Sequence, residues 1–582
     1  MRLRLGWLRW ATSTSERPVS GRVGGVGGVG GVGGGVGGVP GGVGELVVTS
    51  LGHAGLGLRG GGLGLLMDPW LSRRGAFLGA WHQLPSNQHL DTPALLDVDW
   101  VTVSHEHLDH MDVGVLTRLP PTARVVINRY PSRSFHRRLV EAGVGNVVEV
   151  DPWQRLWLNT EGDWLMFLPE QSPMCHDAGV LVCVGGVSVL HCNDARLTVA
   201  QCRRAAVEVG GVLDVMAVQM SGASWHPIRY QYPPGVAERI SAQKRYGKFK
   251  SVTRLVRGVA PRLAVPFAGP PCFLDPVLRE NNRHIGDPGI FPSVDAAVGW
   301  LSERLGGQGV ARWLPGDRYE VRAGRLTRDP RWEGFSFDPA ALEGWLDAYA
   351  ADRAGDLAAV YREFPDPPDD GGGLGERFAE HFARLGELSP YFLERIAMTV
   401  RFQVQGPGGG RWDVQLGPDK ARVDLTGNAR AGDVQYRFEV GSRWLAAVID
   451  GRIGWEDLLL SLRFSAWRSP DVYNDYLVGL LKHADAQALQ AVERYESSRD
   501  NSETIIVSTP DGATYRVGRW CPHAGEDLAV GGVIEGGVLR CLGHNFDFDL
   551  ETGTCRNARC QPLQTTRLQP AQVPESALRQ PT

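Results

Sequence analysis

The chain has 582 residues, with 61 Lys+Arg against 65 Asp+Glu and a formal net charge of −4. Its length implies about two to four domains, and its near-neutral charge argues against a general nucleic-acid binder. No run of about 18 uncharged apolar residues occurs and the opening MRLRLGWLRW lacks an apolar signal core, so no stable membrane insertion and a cytoplasmic location are expected.

In chain order, residues 1–44 end in a Gly/Val tract (GRVGGVGGVGGVGGGVGGVPGGVG) that has little to bury and is expected to be disordered. From Glu45, ELVVTSLGHAGLGLRGGGLGLLMDPWL reads as strand, turn, strand and a loop at Asp68-Pro69-Trp70. The strand ALLDVDWVTVS runs into HEHLDH, and short apolar strands recur at ARVVIN, WLMFL, GVLVCVGGVSVLHC and VLDVMAVQM. Their alternation with helical stretches predicts an α/β domain over 45–330. Residues 331–374 are polar and Pro/Asp-rich, with PDPPDDGGG at 365–373, and are expected to form a linker. An α+β unit is predicted for 375–498, whose helices carry ordinary core-packing stripes. A β-rich domain is expected at 499–572, followed by a tail at 573–582.

Two short loops in the last domain carry chemistry. WCPHAGED and RCLGHNFD each supply one cysteine and one histidine: Cys521 and His523, then Cys541 and His544. Two thiolates can hold one iron of a [2Fe–2S] cluster and two imidazoles the other, one cluster per chain. Gly525 and Gly543 let the backbone turn closely around it. A Cys2His2 zinc site is the alternative, but zinc fingers pair two cysteines together and two histidines together. Cys555 and Cys560 fall outside the pattern.

Upstream, Ser104-His105-Glu106-His107-Leu108-Asp109-His110 follows an apolar strand. Its spacing suits two metal ions, His105 and His107 on one, Asp109 and His110 on the other. A capped helix start would account for Asp109 alone. The basic run KRYGKFK, with Lys244, Arg245, Lys248 and Lys250, either faces an anionic ligand or is a solvated surface; Gly247 weakens a helix there.

The segment 499–572 resembles the Rieske family, and the absence of an extra cysteine in each loop places the resemblance in its ferredoxin and oxygenase branch. Residues 45–330, through HEHLDH, GHAGL and DPW, resemble the αββα metallo-β-lactamase superfamily. That resemblance implies His176 as a further ligand and Asp194 as the bridging one, with His191 in packing. The superfamily's last histidine is missing from LAVPFAGPPCF, leaving His226 and His284 as candidates. His53 is a proton donor, a group behind the metals or a structural histidine.

SGASWHPIRYQYPP and AGPPCFLDP resemble segments of the CMP-N-acetylneuraminate hydroxylase group and its UDP-N-acetylmuramate hydroxylase relatives, and 375–498 resembles their sterol-carrier-like middle domain. The expected architecture is therefore multidomain α/β, α+β and all-β. The resemblance implies a monooxygenase that converts a sugar-nucleotide N-acetyl group to N-glycolyl. It would use one or two non-heme irons, O₂, and NAD(P)H electrons through a ferredoxin or reductase. Trp225, Arg229, Tyr230, Lys244 and Arg245 are its candidate substrate contacts. Three alternatives stand beside it: a zinc hydrolase with a redox-sensing Rieske domain, a related oxygenase acting on a specialised metabolite, and a non-enzymatic electron carrier. Oligomerisation is left open.

Overall fold

The computed structural model describes residues 45–569 apart from 222–223, 288, 308, 369–370 and 501. The expectations for 1–44 and 573–582 lie outside the described residues. Two sheets form the first domain. The eight-stranded one begins antiparallel, through Arg318–Glu320, Val47–Gly52, Gly55–Gly60 and Leu63–Met67, and continues parallel through Trp100–Val103, Arg124–Asn128 and Val147–Val150. The seven-stranded one contains Leu263–Phe267, Val215–Gln219, Val187–His191, Ala178–Val184 and Trp164–Pro169. Alternate apolar side chains, among them Val101, Val103 and Ile127 of the first sheet and Phe167, Val180 and Val189 of the second, meet in one core. The opposite face of the second sheet is covered by the helices Val199–Glu208, Val236–Val259 and Val294–Arg304. This is the metallo-β-lactamase-like sandwich.

The segment 331–374 departs from the expected linker. It contains the 25-residue helix Pro339–Glu363, capped by Asp338 with Pro at its first turn. Leu342, Leu346 and Leu357 of this helix pack on Leu84, Cys272 and Leu274 of the first domain, while Val360 and Phe364 enter the core of the next. The apolar spacing was present; the polar residues between the apolar ones masked it.

The third segment is a five-stranded sheet, in the order Ala421–Asp424, Gly410–Leu416, Met398–Gln405, Tyr436–Gly441 and Phe464–Arg468. The helices Leu374–Glu387, Ser442–Ile449, Trp455–Leu460 and Asp475–His483 pack with it around Phe378, Phe402 and Leu480. Arg463 ties it to the first domain, donating to Asp275 Oδ2 at 2.7 Å with both side chains buried. Arg463→Met would leave the buried Asp275 without its cation, held among the described residues only by Tyr361 Oη and Val277 N–H, which is expected to cost about 3–5 kcal/mol in denaturant unfolding. A loss below about 1 kcal/mol would show that the pair contributes little.

The last domain holds two three-stranded sheets, Thr504–Ser508 with Thr514–Gly518 and Thr565–Arg567, and Gly532–Glu535 with Val538–Cys541 and Phe546–Asp549. Among the described residues no helix is long and apolar enough to cross a membrane.

Candidate metal centre and cluster site

Parallel strands place their following loops at one end of a sheet, and there HEHLDH leaves the strand Trp100–Val103. Two groups of ligand atoms form, each within 4.8 Å: His53, Asp109 and His110, and His105, His107 and Asp194. Asp194 joins the groups, its Oδ1 lying 3.5 Å from His110 Nε2.

Hydrogen bonds behind the rings decide which nitrogens are free. Ser104 Oγ donates to Asp68 Oδ2 at 2.6 Å and so accepts from His105 Nδ1, 2.9 Å away. His110 Nδ1 donates to the same Asp68 oxygen at 2.8 Å. His107 Nε2 lies 3.1 Å from Glu456 Oε1. The buried atoms without a hydrogen-bond partner here include His53 Nδ1, His105 Nε2, both ring nitrogens of His107, His110 Nε2, Asp109 Oδ1 and Asp194 Oδ1, a mixed nitrogen and carboxylate set suited to two divalent first-row ions. Carboxylates behind ligating imidazoles fix their tautomer and orientation.

Burial and the neighbouring His110 and His107 rings hold His105 well below the usual imidazole range. For His110 burial acts the same way, but Asp109 and Asp194 outweigh it and raise the ring well above.

Three expectations are corrected. His176 does not join the metal groups; its ring stacks on Tyr130 at 4.9 Å, and its neighbour Asp177 instead reaches His105 Nδ1 at 3.2 Å. Neither His226 nor His284 supplies a last ligand. His226 Nε2 meets Tyr232 Oη at 2.8 Å, and His284 ends a short 3-10 helix. His53 stands at that place, for the backbone N–H of Ala268, just past the strand Leu263–Phe267, donates to its carbonyl at 3.0 Å.

Sequence reading missed Asp177, Glu456 and Lys482. Glu456 comes from the middle domain, with Lys482 Nζ 3.0 Å from the same oxygen that faces His107. No motif surrounds it; only the fold brings it there.

The cluster loops show the same division of atoms. His523 and His544 have ring centroids 4.4 Å apart, and both buried Nδ1 atoms lack a partner. Their Nε2 atoms face Asp475 Oδ2 at 3.0 Å and Glu170 Oε1 at 3.1 Å. Cys521 and Cys541 are buried and free. Gly525 has φ 72°, and a Cβ there would come within 2.5 Å of Gln171 Oε1. Two thiols and two inward Nδ1 atoms fit a [2Fe–2S] cluster. Cys555, by contrast, donates to Asn557 Oδ1.

A cavity of about 670 Å³ spans the two centres, lined by His107, Asp177 and Asp194 at one end and His523 and His544 at the other. Trp225, Lys244 and Arg245 line it, with Lys248 and Arg468. Arg229 and Tyr230 do not: Arg229 Nε donates to Phe464 O at 2.6 Å, and the Tyr230 hydroxyl meets that of Tyr436. The basic run lies within the unbroken helix Val236–Val259, where Gly247 permits close approach; a Cβ would lie 2.4 Å from Asn545 Oδ1 of the second cluster loop.

Fold and sites together define a protein that joins a metallo-β-lactamase-like domain to a Rieske domain. Residues 480–567 match the Rieske [2Fe-2S] domain family and residues 47–197 a beta-lactamase superfamily domain. A Rieske 2Fe-2S iron-sulfur protein of Mycolicibacterium smegmatis is 30% identical over 535 residues, covering 89% of this chain and 100% of that one. The chain belongs to the family of this mycobacterial protein. Cytidine monophosphate-N-acetylneuraminic acid hydroxylase of Cricetulus griseus is 27% identical over 458 residues, 74% of each chain. The diiron β-hydroxylase CmlA of Streptomyces venezuelae aligns with a TM-score of 0.33 at 20% identity, over 49% of this chain and 54% of its own.

Proposed function

We propose that the chain is a Rieske-dependent non-heme iron monooxygenase that hydroxylates the N-acetyl group of a sugar nucleotide to N-glycolyl, with UDP-N-acetylmuramate as substrate. The observation that carries this is the shared cavity, which has ligand-ready imidazoles of both centres in its walls. A hydrolase needs no electron port facing its metals. The hydroxylase relative, similar over three quarters of the chain, supports an N-acetyl sugar nucleotide.

His53, His105, His107, Asp109, His110 and Asp194 would hold one or two irons, and Cys521, His523, Cys541 and His544 the cluster. When bound, the irons supply O₂ activation and the cluster supplies electrons derived from NAD(P)H through a ferredoxin or reductase. One oxygen atom enters the methyl C–H bond and the other leaves as water, with two electrons and two protons consumed. The chain's own residues bind and orient. Lys244 and Lys248 would meet a pyrophosphate, with Arg245 and Arg468 beside them paired to Asp287 and Asp471, and Trp225 offers an apolar face.

Incubation of holoprotein with UDP-N-acetylmuramate, reductase, NADPH and isotope-labelled O₂ is expected to give a product carrying one labelled oxygen. Absence of that product across several N-acetyl sugar nucleotides rules the substrate class out. Zinc at the upstream site, with turnover that needs neither O₂ nor reductant, would establish the hydrolase instead.

The two lysines predict a pH dependence. Burial lowers both Lys244 and Lys248 to about 7. Below that pH they are charged in the free protein; above it an anion can bind only by drawing a proton in. The KM for the sugar nucleotide is therefore expected to rise with pH above 7, by up to roughly tenfold per unit per lysine. Lys244→Met/Lys248→Met would flatten the profile, and a flat wild-type profile would remove these lysines from recognition.

A further inference from the structure

His523 and His544 turn inward, their Nε2 atoms held by Asp475 and Glu170, toward the cavity shared with the metal centre. His523 is buried there and His544 half-buried.

The ligand loops also border a second cleft, of about 840 Å³, which shares Tyr246, Lys250, Glu526, Val533 and Leu542 with the first. Its floor includes Trp520, Gly525, Glu526 and Leu542, residues from both loops beside Cys521 and Cys541. The contact is close: Cys521 N donates to Glu526 O at 2.8 Å and Gly525 N to Cys521 O at 2.9 Å. Three helices of the first domain raise one wall, bearing Arg203, Lys250, Arg254, Arg257 and Arg304.

Two acids lie in the cleft and both are engaged. Glu526 Oε1 pairs with Arg254 at 2.9 Å, and Asp527 Oδ2 with Arg519 at 2.9 Å. Arg203 and Arg257 are exposed and donate to backbone carbonyls, those of Gly258 and Arg304. Val530, 56% exposed, adds an apolar contact on the same rim. On a chain with a net charge of −4 this is a local segregation of positive charge. A basic wall beside a small apolar contact next to the cluster loops suits a transient, electrostatically steered encounter.

We propose that this cleft is the docking face for an acidic one-electron carrier protein, and that electrons enter on the thiolate side of the cluster and leave on the imidazole side. One electron passes from the reduced carrier to the oxidised cluster per encounter; no bond forms or breaks, and the carrier leaves oxidised by one electron. This rests on reading the cluster as an electron port, and not on the identity of the substrate.

The test follows bleaching of the cluster in full-length holoprotein by a reduced acidic plant-type ferredoxin, anaerobically and without substrate. The wild-type rate is expected to fall steeply as salt shortens the Debye length from about 30 Å to about 3 Å. Arg203→Glu/Arg257→Glu should be slower by about tenfold or more at low salt and nearly salt-independent, with Arg203→Gln/Arg257→Gln intermediate. Reduction by dithionite and the EPR spectrum should be unchanged in every variant. The proposal is overturned if ferredoxin fails to reduce a cluster that dithionite reduces, if the wild-type rate ignores salt, or if the variants keep the wild-type rate. It is equally overturned if NADH or a free nucleotide binds the cleft while ferredoxin reduction is unaffected. Because neither substrate nor O₂ is present, failure of hydroxylation leaves this result standing on its own.

Discussion

Asp194→Ala is expected to deplete both upstream metal positions and to lower turnover on the order of a thousandfold, with the cluster left intact. The residue lies in the turn after the strand Val187–His191, grouped with His105 and His107 and 3.5 Å from His110 Nε2. Its carboxylate thus belongs to one ligand set and lies against a ring of the other. Without it, His105, His107 and His110 keep their rings in place through Ser104, Glu456 and Asp68, but lose the negative charge that brings two cations together. Loss of an outer partner costs about 10–100-fold in metal affinity, so loss of an inner ligand exceeds that. Asp68→Asn provides the comparison, since Asp68 acts only behind the rings, and should fall between it and wild type. Elemental analysis counts iron, and EPR of the reduced protein reports the cluster separately. Full iron retention in Asp194→Ala would remove it from the ligand set.

Local signals made much of this legible and long-range ones did not. His105, His107, Asp109 and His110 stand within one short string, and each cluster loop carries its pair in a few residues, so spacing alone exposed them. The fold class was equally readable from strands that alternate with helices and from two loops of such specific composition. What escaped is what depends on packing between domains. Glu456 reaches His107 from a helix more than three hundred residues downstream, and nothing in WEDLLL separates it from a surface acid. Asp177 rather than its neighbour His176 faces His105 because the turn before the strand Ala178–Val184 directs that side chain inward, a choice of one residue that spacing cannot make. The helix Pro339–Glu363 was hidden by composition: Leu342, Leu346, Leu357 and Val360 keep a helical spacing beneath a polar surface.

Glu170→Gln is expected to separate the cluster from the metal centre without removing either. Glu170, at the end of the strand Trp164–Pro169, holds His544 Nε2 through one oxygen at 3.1 Å and accepts the backbone N–H of Arg196 through the other at 3.1 Å. Arg196 is two residues from Asp194, so a short chain of bonds runs from cluster ligand to metal ligand. Asp475 faces His523 at 3.0 Å in the same manner but comes from the middle domain and, among the described residues, has no such continuation to Asp194. Either carboxylate makes its imidazole more basic and so favours the oxidised cluster, which means that Glu170→Gln and Asp475→Asn should both raise the midpoint potential. A higher potential alone would slow electron release equally in the two variants. If the Glu170 route carries the electron, single-turnover oxidation of the pre-reduced cluster should fall by about 10–100-fold in Glu170→Gln and much less in Asp475→Asn at a matched change in potential. Equal losses in the two variants would show that Glu170 sets only the potential, as Asp475 does.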